Sequence, residues 1–276
     1  MLSKLIKYDM KSLNRFLPVL HLFILLSSIM IRVFITGRIK PQTSSEQTDF
    51  LIILCYVLYF TMITALSTGT YLIAGIRFYK NMFSDEGYLT KTLPITNGMH
   101  LLSKTIAGSI WAMVNMCFVY LCSYVVIWTP YIKSVVDENK DDILQEFGFV
   151  GKYAGLSFST VLLILLLFSC FGAISSIIMI YASVALGQLF SSHRVLGAVV
   201  SYFVISTLIS VLSVVAMALL GSETRLIVTS GSLEDEFNLV SYMIEIMKIS
   251  AGLMIITSVI LYVATHCIMN KKINLI

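Results

Sequence analysis

The chain reads as an all-α integral membrane protein, and three observations predict that class. Of its 276 residues, 58% are apolar and only 12% charged, with a mean hydropathy of +0.90. A water-soluble surface of this size wants roughly 25–35% charged residues. An ordinary soluble enzyme, a disordered chain and a nucleic-acid binder are thereby excluded. Six apolar stretches are each long enough to cross a bilayer core of about 30 Å. Basic residues are sorted toward one side of those stretches, as the positive-inside rule requires.

Residues 1–16 are expected to form an interfacial helix. Lys4, Lys7, Lys11 and Arg15 recur on one helical face, with Leu2, Leu5, Ile6, Leu13 and Phe16 on the other. Such a helix lies at the headgroups, its basic stripe toward anionic lipid or a partner. Pro18 suits a bend into the first span, Leu17 to Ile35. The basic start followed by an apolar run imitates a signal peptide. The run is of full span length and no A-x-A-like site follows, so an uncleaved first span is expected.

The remaining spans are Phe50 to Ile76, Thr105 to Trp128, about Gly155 to Leu186, Val195 to Leu220 and about Met243 to Met269. With the N-terminus inside, the inner segments hold 11 basic and 3 acidic residues, a balance of +8. The outer side then holds 8 basic and 12 acidic residues, a balance of −4. Six spans return the C-terminus to the cytoplasm. Residues 1–276 form a single transmembrane domain, with an inner loop over 77–104 and outer segments over 129–152 and 221–240. The outer segments are acidic, through Asp137, Glu138, Asp141, Asp142 and Glu146 in one and Glu223, Glu234, Asp235 and Glu236 in the other. They suit a solvated face or a vestibule attracting cationic peptides.

No catalytic or metal site is expected. The five cysteines fall in apolar stretches without a C-x-x-C pair, and the four histidines lack zinc-ligand spacing. G-x-x-x-x-G-K-[ST], G-x-S-x-G and H-E-x-x-H are all absent. Span centres carry no Asp, Glu, Lys or Arg, which argues against ion-coupled transport. Arg32, Glu245 and Lys248 lie near outer span ends, where snorkelling suffices.

The most informative stretch is the inner run Arg77-Phe-Tyr-Lys-Asn-Met-Phe-Ser-Asp-Glu-Gly-Tyr-Leu-Thr-Lys-Thr-Leu-Pro-Ile-Thr96. Phe78 with Met82, and Tyr79 with Phe83, predict a short helix with an apolar i, i+4 face, ended by Gly87. Leu93-Pro94 predicts an extended step back to the membrane. An aromatic-bearing amphipathic helix of this kind suits a protein groove, or a connector on the headgroups.

This run resembles the loop between spans two and three of ABC-2 type transporter permeases, in which D-E-G-Y-L and T-L-P recur. The opening Met1-Leu-Ser-Lys-Leu-Ile-Lys-Tyr-Asp9 resembles the family's basic elbow helix. The ending Lys271-Lys-Ile-Asn-Leu275 resembles its K-K-L-N-L tail, although Ile276 stands where an acid is usual. The resemblance extends over the whole chain and implies a fold of six spans, an elbow helix and a cytoplasmic coupling helix.

The resemblance also implies a function. The chain would be the permease subunit of an ATP-binding cassette exporter in the bacterial plasma membrane, moving a hydrophobic or amphipathic peptide or drug-like substrate outward. A second permease, identical or a sibling, would complete the unit. A separate ATPase subunit would bind ATP and Mg, with no cofactor on this chain. The helix of about Arg77 to Asp85 would seat in an ATPase groove, with Phe78, Tyr79, Lys80, Met82, Phe83, Asp85, Glu86 and Tyr88 at the contact.

In the family, spans two and five face the partner and the route. Here Thr61, Thr64, Thr68 and Tyr71 form a stripe on span two, and Ser206, Ser210 and Ser213 one on span five. These hydroxyls would line a modestly polar route, or serve interhelical hydrogen bonds. On span four, the pairs Ser169/Ala173, Gly172/Ser176 and Ser183/Gly187 predict close helix packing. The competing reading is a membrane adaptor or assembly protein that transports nothing.

Overall fold

The structure is a computed structural model that describes residues 1–38, 46–92, 94–149, 153, 155, 157–190, 193–221 and 239–271. All its regular structure is helical. The elements are α1 (Leu2–Leu13), α2 (Leu17–Arg38), α3 (Glu46–Phe83), α4 (Asp85–Lys91) and α5 (Asn97–Ile127). They continue with α6 (Pro130–Glu138), α7 (Lys140–Glu146), α8 (Phe158–Gly187), α9 (Arg194–Leu220) and α10 (Leu239–Lys271). Six of them, α2, α3, α5, α8, α9 and α10, are long and apolar enough to cross a membrane.

The spans fall where the apolar runs put them, but two helices overrun. α3 has 38 residues and continues through Phe83 instead of stopping at Ile76. At 1.5 Å per residue it is about 57 Å long, far more than a bilayer core of about 30 Å. α5 starts at Asn97, two turns before the expected Thr105. Thr96 caps it, its side chain accepting from the Met99 amide at 3.4 Å. Lys104 stays within the helix because it is neutralised by a neighbour described below.

α8 is the hub of the bundle, packing against α3, α5, α9 and α10. Small residues let it do so. At Gly187 a Cβ would stand 2.5 Å from the Ala198 amide nitrogen, so only glycine lets α8 and α9 meet there. Hydroxyls bridge the helices: Ser169 with Tyr120 at 2.8 Å, Ser258 to Ser175 at 2.9 Å, and Ser28 with Tyr59 at 2.9 Å. Arg32 donates to the Val125 carbonyl at 3.0 Å, satisfying one of the orphan acceptors in the last turn of α5.

α1 lies against α5 and α3. Its lysines Lys4, Lys7 and Lys11 are exposed and Leu13 is buried, as the amphipathic pattern requires. Phe16 is not on that apolar face; it sits in the turn to α2 and is 45% exposed. The acidic segment after α5 is a pair of short helices. Thr129 caps α6 by accepting from the Ile132 amide at 3.2 Å, and Pro130 sits at its first turn. Asp137, Glu138, Asp141, Asp142 and Glu146 are all exposed. The acidic residues expected over 223–236, Leu93 and the tail after Lys271 lie outside the described residues.

Candidate functional site

The densest polar chemistry in the fold sits at one end of the bundle, where α1, α3, α4, α5 and α8 converge. Its base is an aromatic stack. Ala74, Phe78 and Met82 recur at four-residue spacing on α3 and face α8, where Ile177, Tyr181 and Ala185 recur likewise. Phe78 lies flat on Tyr181, with ring centroids 4.1 Å apart and planes 15° from parallel. Phe83 closes edge-on over Phe78 at 5.7 Å.

Above the stack lies a chain of charges. Lys104 of α5 is only 7% exposed and Asp9 of α1 14%, and their Nζ and Oδ1 atoms are 2.7 Å apart. Ser103 donates to the other Asp9 oxygen at 2.6 Å. With its amide oriented to satisfy both neighbours, Asn81 of α3 accepts from Lys104 Nζ at 3.2 Å and donates to Glu86 Oε2 of α4 at 2.7 Å. A continuous polar connection therefore runs from Glu86 through Asn81, Lys104 and Asp9 to Ser103. The Tyr181 hydroxyl donates to the Lys104 carbonyl at 3.3 Å, tying α8 to the same point. Gly108 makes room for that hydroxyl, since a Cβ there would lie 2.6 Å from it. A cavity of about 20 Å³ remains between Asp9, Arg77, Phe78, Asn81, Lys104 and Tyr181. That is room for about one water.

The loop residues sort into two groups. Phe78, Met82 and Phe83 are 1%, 0% and 4% exposed. They belong to the protein's own core, so the expected apolar face on a free helix over 77–85 is corrected: residues 77–83 are the last turns of α3. Tyr79 packs against the same core and Lys80 is exposed. The short separate helix is α4, eight residues later than expected, and Gly87 lies inside it instead of ending it. A Cβ at Gly87 would stand 2.7 Å from the Met82 carbonyl group, so glycine lets α4 fold directly back onto α3. Asp85, Glu86 and Tyr88, the last 67% exposed, form the outward surface.

The hydroxyl stripes lie on two helices that both pack on α8. Thr61, Thr64 and Thr68 are exposed, and each hydroxyl donates back to a carbonyl of its own helix at 2.7–2.9 Å. Tyr71 is partly buried against the α8 core. Ser210 is exposed, and Ser206 and Ser213 are partly so, on α9. α8 packs against both α3 and α9. Tyr71 of α3 lies close enough to Tyr202 of α9 for the two to interact electrostatically, one turn from Ser206.

Asp9, Asn81, Lys104 and Tyr181 were not legible as a site beforehand. The available signals were Lys104, a cation inside a run that folds as span helix, and Asp9, the lone acid on a basic helix. A second polar group, between α2 and α5, also escaped the sequence reading. The buried His21 bonds the Leu17 carbonyl through Nδ1 at 2.7 Å, and its ring packs at 5.1 Å from Phe118 and 5.8 Å from Trp111.

The fold defines a class, a multi-pass all-helical membrane protein. Comparison with protein-family models, curated proteins and solved structures returns no match for the chain.

Proposed function

We propose that the chain is the permease subunit of an ATP-binding cassette exporter of the ABC-2 type, set in the bacterial plasma membrane with both termini cytoplasmic. α1 serves as the elbow helix. α4, carried on the projecting end of α3, serves as the coupling helix that a separate ATPase engages. ATP and Mg belong to that ATPase.

One observation carries this reading: the exposed Glu86 of α4 is connected through Asn81 and Lys104 to Asp9, joining a surface helix to α3, α5 and α1. A push on α4 would thus be felt by two spans and the interfacial helix together. Phe78 on Tyr181 extends the same link to α8. The Thr61/Thr64/Thr68 and Ser206/Ser210/Ser213 stripes would line the route, completed by a second permease copy or sibling. Its hydroxyl-lined apolar walls would suit a hydrophobic or amphipathic substrate.

The test is co-expression with an ABC ATPase encoded beside the gene, followed by purification through a tag on this chain. The expected result is a complex with vanadate-sensitive ATPase activity, weakened by Glu86→Lys. Failure to form any complex would sink the exporter reading and favour the non-transporting adaptor.

A further inference from the structure

Two guanidinium groups converge on one exposed ring where the chain enters the membrane. Arg15 Cζ lies 5.8 Å from the centroid of the Phe16 ring, and Arg77 Cζ lies 5.2 Å from the same centroid. Cation–π attraction accounts for one cation at a ring. Two like charges beside the same ring also repel each other, and an anion that reached both would offset that repulsion. Among the described residues, neither arginine forms an ion pair with a carboxylate. The nearby acid Asp9, which with Arg77 borders the small cavity, is already held by Lys104 and Ser103.

Two independent rulers place this pair at the membrane boundary. Phe16 directly precedes Leu17, the first residue of the first candidate span. Arg77 directly follows Ile76, the end of an uncharged run that begins at Phe50. Below the arginines, both helices present exposed apolar side chains: Val19, Leu22 and Phe23 on α2, and Leu72 and Ile76 on α3. A charged fork above and an apolar wall below match the two ends of one molecule.

We propose that Arg15, Phe16 and Arg77 form a binding site for an anionic phospholipid. The phosphodiester is held by the two guanidinium groups, which suit bidentate phosphate recognition. The acyl chains lie along α2 and α3. The exposed Lys4, Lys7 and Lys11 add a diffuse attraction but not the site itself. The proposal stands whether or not an ATPase docks on this chain.

Native mass spectrometry of the intact detergent-solubilised protein, titrated with phosphatidylglycerol or phosphatidylcholine, tests it. The expected result is one tightly retained phosphatidylglycerol and no comparable phosphatidylcholine adduct. Arg15→Gln/Arg77→Gln should weaken phosphatidylglycerol retention roughly 30-fold. Arg15→Gln alone, at an exposed position that cannot unfold the bundle, should give a smaller loss in the same direction. Lys4→Gln/Lys7→Gln/Lys11→Gln should change it far less. An unchanged preference in the double arginine variant overturns the proposal. So does an equal loss in the lysine variant, which would mean a smeared charge. Saturation of the site by inorganic phosphate at the same concentration would mean a free-anion site and overturns it too.

Discussion

Lys104 and Asp9 stand 95 positions apart in the chain and meet at 2.7 Å. The contact joins α5, long and apolar enough to span a membrane, to the amphipathic α1, and both side chains are largely withdrawn from solvent. Breaking such a pair by removing one partner leaves an uncompensated charge and costs about 3–5 kcal/mol. Lys104→Met is therefore expected to destabilise strongly. Asp9→Asn should cost at least as much, because the charge it strands is that of Lys104, the more buried partner. The double variant should recover at least 1 kcal/mol of the summed loss, an interaction energy typical of contacting residues. Thermal unfolding of the detergent-solubilised protein measures all three, and strict additivity would show that the pair is not coupled.

Packing around α8 gives a second expectation. Gly187→Ala would drive a Cβ to within 2.5 Å of the Ala198 amide nitrogen, against backbone that cannot swing aside. A loss of about 1–3 kcal/mol is expected, the usual range for overpacking. Gly252 on α10 has nothing within 4 Å of its added Cβ. Gly252→Ala should be neutral or slightly stabilising, because alanine is the better helix former. The same unfolding assay separates the two, and equal effects would contradict the α8–α9 contact.

The spans were legible because lipid imposes a single rule, that a helix must be apolar for about 20 residues. α2, α8 and α9 follow that rule almost residue by residue. The ends of α3 and α5 were not legible, because hydropathy registers Arg77 and Lys104 as charges and cannot register the tertiary contacts around them, Asp9 against Lys104 and the Phe16 ring beside Arg77. Lys104 belongs to a span only because Asp9, far away in the chain, is folded against it. The same blindness applies to Phe78, Met82 and Phe83. Their spacing is equally good for a groove in another protein and for the face of α8, and tertiary contact decided for α8. Gly87 shows the limit at one residue. A glycine near a helix end signals a stop or a close approach, and here it is the approach of α4 to Met82.

That sorting changes how docking on α4 should be tested. Phe83→Asp would bury a charge at a site that is 4% exposed, so it would report on folding. Glu86 and Tyr88 point outward and can be changed without opening the core. On the proposed function, Glu86→Lys and Tyr88→Ala should each reduce ATPase co-purification about tenfold or more, as hot-spot contacts do. The unfolding temperature of Tyr88→Ala should stay close to wild type, while Glu86→Lys also forfeits the Asn81 hydrogen bond, at a cost of about 1 kcal/mol. Glu86→Gln keeps an acceptor for the Asn81 amide and should separate loss of charge from loss of the internal hydrogen bond. Unchanged capture in all three variants would move the docking surface elsewhere.

Orientation is the last expectation, and it rests on charge alone. The exposed acids of α6 and α7 and the exposed lysines of α1 should lie on opposite sides of the membrane, with the lysines inside. All five native cysteines lie in span helices. In a cysteine-free background, Ser3→Cys on α1 and Asp141→Cys on α7 place single thiols at exposed positions. A membrane-impermeant maleimide should label the Asp141→Cys protein in intact cells and the Ser3→Cys protein only after permeabilisation. The reverse pattern would put α4 outside the cell, away from any source of ATP, and would exclude an ATPase docked there. Labelling of both positions in intact cells would mean an odd number of crossings between α1 and α7 is wrong, and one of α2, α3 or α5 does not span.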